Sequence, residues 1–131
     1  MKLIKNFVIY WIPPLLWMST IFYFSSQPHF NISSETTLDF ILFKILHMIE
    51  YGFLYFLLFR ALYKTGSYTL PEIFLLTFII GALYAISDEY HQSFVPTREG
   101  KMRDVLIDIG GITIVYWYMK NNFARIKKYV V

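Results

Sequence analysis

Residues 7–24, "FVIYWIPPLLWMSTIFYF", run for 18 positions without a charged side chain. As a helix rising about 1.5 Å per residue, the segment spans roughly 27 Å, close to the ~30 Å hydrocarbon core of a bilayer. Lys2 and Lys5 precede it as the n-region of a signal peptide would. Its exit, "FYFSSQP", has no small-residue cleavage pattern, so the segment is expected to be a retained membrane helix. Pro13 and Pro14 are expected to kink it or to delay its start.

The rest of the chain agrees with this first segment. Of 131 residues, 56% are hydrophobic and only 16% charged. That leaves too little polar surface for a water-soluble domain of this size, so an integral membrane protein of one domain, residues 1–131, is expected. The absence of cysteine excludes disulfides and thiolate chemistry. The pI near 9.1 does not indicate nucleic acid, because the Lys and Arg flank apolar runs and form no patch. The aromatic content of 21% fits interface belts and helix packing.

Three further apolar segments complete an all-α bundle of four transmembrane helices, with spans near 7–24, 41–62, 70–87 and 105–119. With the N-terminus inside, eight Lys and Arg (Lys2, Lys5, Arg60, Lys64, Lys120, Arg125, Lys127, Lys128) lie on the inner side. Four (Lys44, Arg98, Lys101, Arg103) lie on or near the outer side. The positive-inside rule therefore favours both termini inside. In the loop after the first span, Ser33 or Ser34 can cap the second helix, and Asn31-Ile32-Ser33 matches a glycosylation triplet. The basic tail from Asn121 is expected to snorkel at the interface.

This arrangement collects the unusual polar residues at one face. The first span ends outside at Ser25, Ser26 and Gln27, and the second starts there with Lys44, His47, Glu50 and Tyr51. The third ends there at Asp88 and Glu89, and the fourth starts there with Arg103, Asp104 and Asp108. Lys44, His47 and Tyr51 are three and four apart and form one helical stripe. Asp104, Asp108 and Gly111 do the same on the last helix, where Gly110-Gly111 permits close helix approach. A charge inside a span costs about 2.5–3.5 kcal/mol on insertion scales, so His47, Glu50 and Asp108 should face inward and find partners. Lys44 with Arg98 or Arg103 are the natural counter-ions for the acids. Asp104 has a plainer reading as the N-cap of the fourth helix, Lys44 as a snorkelling lysine and His47 as a satisfied buried histidine. "HMIE" is not the H-E-x-x-H zinc pattern, and no metal or other cofactor is expected.

"KILHMIEYGFL" (44–54) with "YAISDEYHQSFVPTREGKMRDVLIDIGG" (84–111) resembles the VanZ-like membrane proteins. Their pattern is a K-x-x-H-x-x-x-Y helix, a D-E-x-x-Q-x-F-x-P-x-R stretch, and an Asp leading into a final helix with Asp or Asn and Gly. It is met by Lys44, His47, Tyr51, Asp88, Glu89, Gln92, Phe94, Pro96, Arg98, Asp104, Asp108 and Gly111. The resemblance implies a multi-pass protein of the bacterial cytoplasmic membrane, with a link to teicoplanin (glycopeptide) resistance, and antibiotics of that class act outside the membrane on wall precursors.

Two functions then stand side by side. In an enzyme, His47, Asp88, Glu89 and Asp104 form the catalytic set, with Lys44, Tyr51, Gln92, Arg98 and Asp108 binding substrate. Asp88 and Glu89 cannot both ionise freely in a poorly solvated pocket, so one would keep its proton and act as acid, with His47 as base or shuttle. In a non-catalytic binder, the same residues hold a ligand and limit access of antibiotic or partner. The expected partners are membrane lipid and a lipid-linked cell-wall precursor or glycopeptide-related ligand, with no nucleic acid and the oligomeric state left open. A transporter is disfavoured because the inner half of the spans is nearly bare of ionisable groups.

Overall fold

The computed structural model describes residues 2–28, 36–96, 98 and 100–130. They form four helices: α1 Lys2–Ser25, α2 Thr36–Thr65, α3 Leu70–Gln92 and α4 Met102–Val130. Three of them, α1, α2 and α3, are long and apolar enough to cross a membrane. The apolar run of α4, Val105 to Met119, is bounded by Asp104 and Lys120 and interrupted by Asp108. The capping serines and the glycosylation triplet proposed for residues 31–34 lie outside the described residues.

The helices alternate in direction. Arg98, after α3, reaches carbonyls at the end of α1, and Lys44 near the start of α2 meets Asp104 near the start of α4. At the opposite end, Trp11 Nε1 donates to Thr65 Oγ1 at 2.9 Å, and the Arg60 guanidinium stacks on Tyr10 at 4.9 Å. α2 is the centre, packing on the other three helices, and among the described residues α1 and α4 do not pack together.

The reason lies in the α2 sequence. Tyr51, Leu54, Tyr55, Leu58, Phe59 and Leu62 are all buried and recur every three or four residues, one continuous helical face. Gly52 and Gly111 let α2 and α4 come close: a Cβ on Gly111 would collide with the Met48 carbonyl, and one on Gly52 would lie 2.8 Å from Val115 Cγ2. The outward faces are apolar too. Only 11% of the α1 span and about a third or less of the α2 and α3 spans is buried. Leu16, Leu75, Leu83 and Ile114 are more than half exposed. Such surface is unfavourable in water and needs no protein partner in lipid.

Three sequence expectations change. α1 does not start late: it begins at Lys2 and continues through Pro13 and Pro14. Each proline removes one backbone hydrogen bond, a loss that a helix packed in a membrane bundle tolerates. Asp104 is not an N-cap, because α4 already starts at Met102. The basic tail is more than an interface segment. α4 bends at Asn122 (φ −119°, ψ 19°) and continues, and Phe123 packs edge-on against Phe59, Tyr63 and Phe74. One side of the tail is core and the other carries the charges.

Candidate functional site

The polar residues of α3 sit in its last turns, where α1 ends. Asp88 is 2% exposed and accepts three hydrogen bonds. Ser25 Oγ of α1 donates at 2.6 Å, Tyr51 OH of α2 at 3.1 Å and Gln92 Nε2, one turn on in α3, at 3.0 Å. A buried carboxylate needs this many donors to replace its lost water. Asp88 thus joins three helices through neutral partners, not through the cationic counter-ion expected of it.

Arg98 is elsewhere engaged. Its Nε donates to the Gln27 carbonyl at 2.7 Å, Nη2 to the Phe24 carbonyl at 3.0 Å and Nη1 to Gln92 Oε1 at 3.2 Å. It satisfies carbonyls left open at the end of α1 and ties the α3–α4 loop across the bundle end. Burial lowers its pKa from the ordinary guanidinium value, opposed by Asp88, Glu89 and Glu50. Arginine stays charged through such a shift.

Glu89 turns to the loop, where its Oε1 accepts the Lys101 backbone N–H at 2.8 Å. Gly100 makes that approach possible, since a Cβ there would lie 2.6 Å from the Glu89 carbonyl. Asp88 and Glu89 therefore have separate hydrogen-bond partners. Consecutive helical residues point about 100° apart, so the two carboxylates meet different surroundings.

α2 and α4 make two cross-helix charge contacts. Lys44 Nζ lies 2.8 Å from Asp104 Oδ2, and His47 Nδ1 lies 3.3 Å from Asp108 Oδ1. Arg103 also bonds Asp104, at 3.2 Å. Burial alone would raise the Asp104 pKa, but Lys44 and Arg103 outweigh it and hold it below the ordinary carboxylate value. Asp108 is 1% exposed. Residues 44 and 47 are three apart on one helix and 104 and 108 four apart on the other, so each pair shares a helical face and both contacts form at once.

Two cavities open at this end. One, of about 270 Å³, is lined by Phe40, Phe43, Lys44, His47, Glu89, Gln92, Arg98, Lys101, Arg103 and Asp104. The other, of about 250 Å³, lies between α1 and α2 and is lined by Ile21, Phe24, Ser25, Gln27, Phe43, Leu46, His47, Glu50 and Arg98. They share Phe43, His47 and Arg98. A larger space of about 770 Å³ between α2 and α4 is walled by apolar and aromatic side chains.

Of the residues singled out in the sequence, Lys44, His47, Glu89, Gln92, Arg98 and Asp104 line the first cavity. Tyr51, Asp88 and Asp108 lie behind it as buried supports. His91 turns away, its Nε2 3.0 Å from Ser26 Oγ and its ring stacked on Phe22. Among the described residues, no three His, Asp or Glu groups converge as metal donors. Ser25, Glu50, Lys101 and Arg103 were visible as polar residues near helix ends but not placed in the site. For Glu50 the signal was its position one turn beyond His47.

No curated protein and no solved structure matches the chain. The model of one protein family, described as VanZ/LLP1, matches residues 7–125, from the first charge-free span to the basic tail. That match takes in all four helices and every polar residue placed above, and by it the chain belongs to the VanZ/LLP1 family.

Proposed function

We propose that this VanZ-family membrane protein binds a lipid-linked cell-envelope precursor by its anionic head group, at the outer face of the bacterial cytoplasmic membrane. One observation carries the reading: a polar cavity with four cations in its wall, Lys44, Arg98, Lys101 and Arg103, against two carboxylates, Glu89 and Asp104, adjoins a mostly apolar one in which Ile21, Phe24 and Leu46 stand beside Glu50. The two meet at His47 and Arg98. An amphiphile needs that pairing of a cationic chamber for its head with an apolar one for the start of its chain. A soluble anion would need only the first.

In this reading α4 also spans the bilayer. Its run from Val105 to Met119 is about 22 Å long as a helix, and Asp108 within it meets His47. Both termini lie inside, as the Lys and Arg distribution favours. A protein holding wall precursors at the outer face would alter how glycopeptides such as teicoplanin reach them.

Binding is tested with the full chain in nanodiscs, using a polyprenyl diphosphate and a neutral lipid of equal chain length, with retention read by native mass spectrometry. Selective retention of the diphosphate, weakened about tenfold or more in Arg98→Ala, supports the reading. Equal retention of both lipids overturns it. Orientation is read by cysteine labelling in intact cells: Ser93→Cys should react with an impermeant thiol reagent and Ser67→Cys should not. The reverse pattern places the cavity inside.

A further inference from the structure

The end of the bundle opposite the polar cavity, where α1 begins and α4 ends, is rich in cations and poor in carboxylates. Arg60, Lys64, Lys120, Arg125, Lys127 and Lys128 lie there, and among the described residues Glu72 is the one acid. Its Oε2 already accepts the Thr69 backbone N–H at 2.7 Å and the Thr69 hydroxyl at 2.8 Å. On α4, Lys120 and Lys128 each lie over a tyrosine of their own helix. The two cations of α2 are placed differently. They stand one turn apart and share a ring from another helix: the Arg60 guanidinium is 4.9 Å from the Tyr10 centroid and Lys64 Nζ is 5.8 Å from it. Trp11 Nε1, donating to Thr65 Oγ1 at 2.9 Å, fixes that part of α1 beside the last turn of α2.

This pair lacks a counter-charge. Among the described residues neither side chain forms an ion pair or donates a hydrogen bond, and Arg60 Nε is buried from water with no acceptor. Buried donors are ordinarily matched, and like charges one turn apart repel. One oxyanion reached by both groups supplies the missing acceptor and the missing negative charge together.

The surroundings select the kind of oxyanion. Phe7, Ile9 and Ile12 of α1 are 56%, 47% and 46% exposed, and only 11% of the α1 span is buried. Arg60 lies five residues before the end of α2, about 7.5 Å along the helix axis, a depth from which a long side chain snorkels to the head-group level. A soluble anion gains nothing from an apolar wall beside it. A phospholipid seats its chains on that wall while its phosphate meets the cations.

We infer that Arg60 and Lys64 bind the phosphate of an anionic phospholipid in the leaflet at this end, with Tyr10 as the platform beneath both cations. Arg60 offers a planar fork to two phosphate oxygens and Lys64 a point charge. The site is separate from the polar cavity and does not depend on what that cavity holds.

The full chain in detergent micelles is titrated with phosphatidylglycerol or phosphatidylcholine of the same acyl chains, and bound lipid is read by native mass spectrometry. With each surface cation contributing about fivefold, wild type should prefer phosphatidylglycerol about 25-fold, Arg60→Gln and Lys64→Gln about fivefold each, and the double variant not at all. Arg60→Lys, which keeps the charge and loses the fork, should fall between wild type and Arg60→Gln. Lys128→Gln removes the same charge from α4 at the same end and should leave the preference within about twofold. Lipid bound is referred to folded protein, and Lys64→Gln, which loses only a ring contact, tests the site even where Arg60→Gln fails to fold. Equal binding of the two lipids by wild type, or equal losses in Lys64→Gln and Lys128→Gln, overturns the site. Preference lost in Arg98→Ala but kept in Arg60→Gln places the phospholipid at the polar cavity and overturns it as well. Displacement of phosphatidylglycerol by inorganic phosphate shows a site for any phosphate anion and overturns the assignment to a lipid.

Discussion

Replacing Asp88 with alanine isolates what holds the polar end of the bundle together. The change removes the acceptor for Ser25, Tyr51 and Gln92 at once, but the three donors are not left equally stranded. Ser25 Oγ already lies 3.1 Å from the Phe22 carbonyl and can turn its hydrogen there. Gln92 lines the polar cavity, so its amide can reach water. Tyr51, 0% exposed, has no such outlet. An interhelical hydrogen bond in a bilayer contributes about 0.6 kcal/mol on average, which sets the Ser25 loss. A buried donor left without an acceptor costs about 1–3 kcal/mol, which sets the Tyr51 loss. The expected destabilisation is their sum, about 2–4 kcal/mol. It can be measured by steric trapping or by SDS titration of the refolded protein in mixed micelles. Tyr51→Phe in the Asp88→Ala background should recover about 1 kcal/mol or more, because it removes the stranded hydroxyl. If Asp88→Ala falls within about 0.5 kcal/mol of wild type, or if the second change recovers nothing, the carboxylate is not the joint between these helices.

Gly111→Ala should cost about 1–3 kcal/mol by pushing α4 off the Met48 carbonyl, whereas Gly110→Ala, with nothing within 4 Å of its added Cβ, should be tolerated. The same unfolding titration reads both. Asp104 has a folded pKa below its ordinary value of 3.8, so its contribution to stability is fully present above that value and is lost as pH falls through the lower folded one. Helicity followed by circular dichroism should therefore be more acid-sensitive below about pH 4 in wild type than in Asp104→Asn. Arg98→Lys keeps the charge but replaces a planar five-donor group with a point, which cannot hold the Phe24, Gln27 and Gln92 oxygens together. Amide exchange in residues 93–101 should rise about tenfold, and an unchanged rate would show that the loop is held by other contacts.

Much of the candidate site was legible because helical spacing is local. Lys44, His47 and Tyr51 on one helix and Asp104, Asp108 and Gly111 on another share faces whatever surrounds them, and their partners across the bundle follow once those faces meet. The neighbours Asp88 and Glu89 take different partners for the same reason, since adjacency in sequence sends side chains to different sides of a helix. Arg98 was legible as a cation but not as the group that ties the α3–α4 loop to the end of α1, because its partners are backbone carbonyls, which no residue type announces.

The membrane character of α1, α2 and α3 was set by composition and segment length, since transfer into lipid depends on side-chain chemistry summed along a helix. Which acid meets which base could only be decided by packing. Gly111 against Met48 brings α4 close enough to α2 for Asp108 to face His47, and Gly100 lets the loop fold onto Glu89. Those distances depend on where backbones touch, and a contact between residues sixty positions apart leaves no periodic trace in either segment.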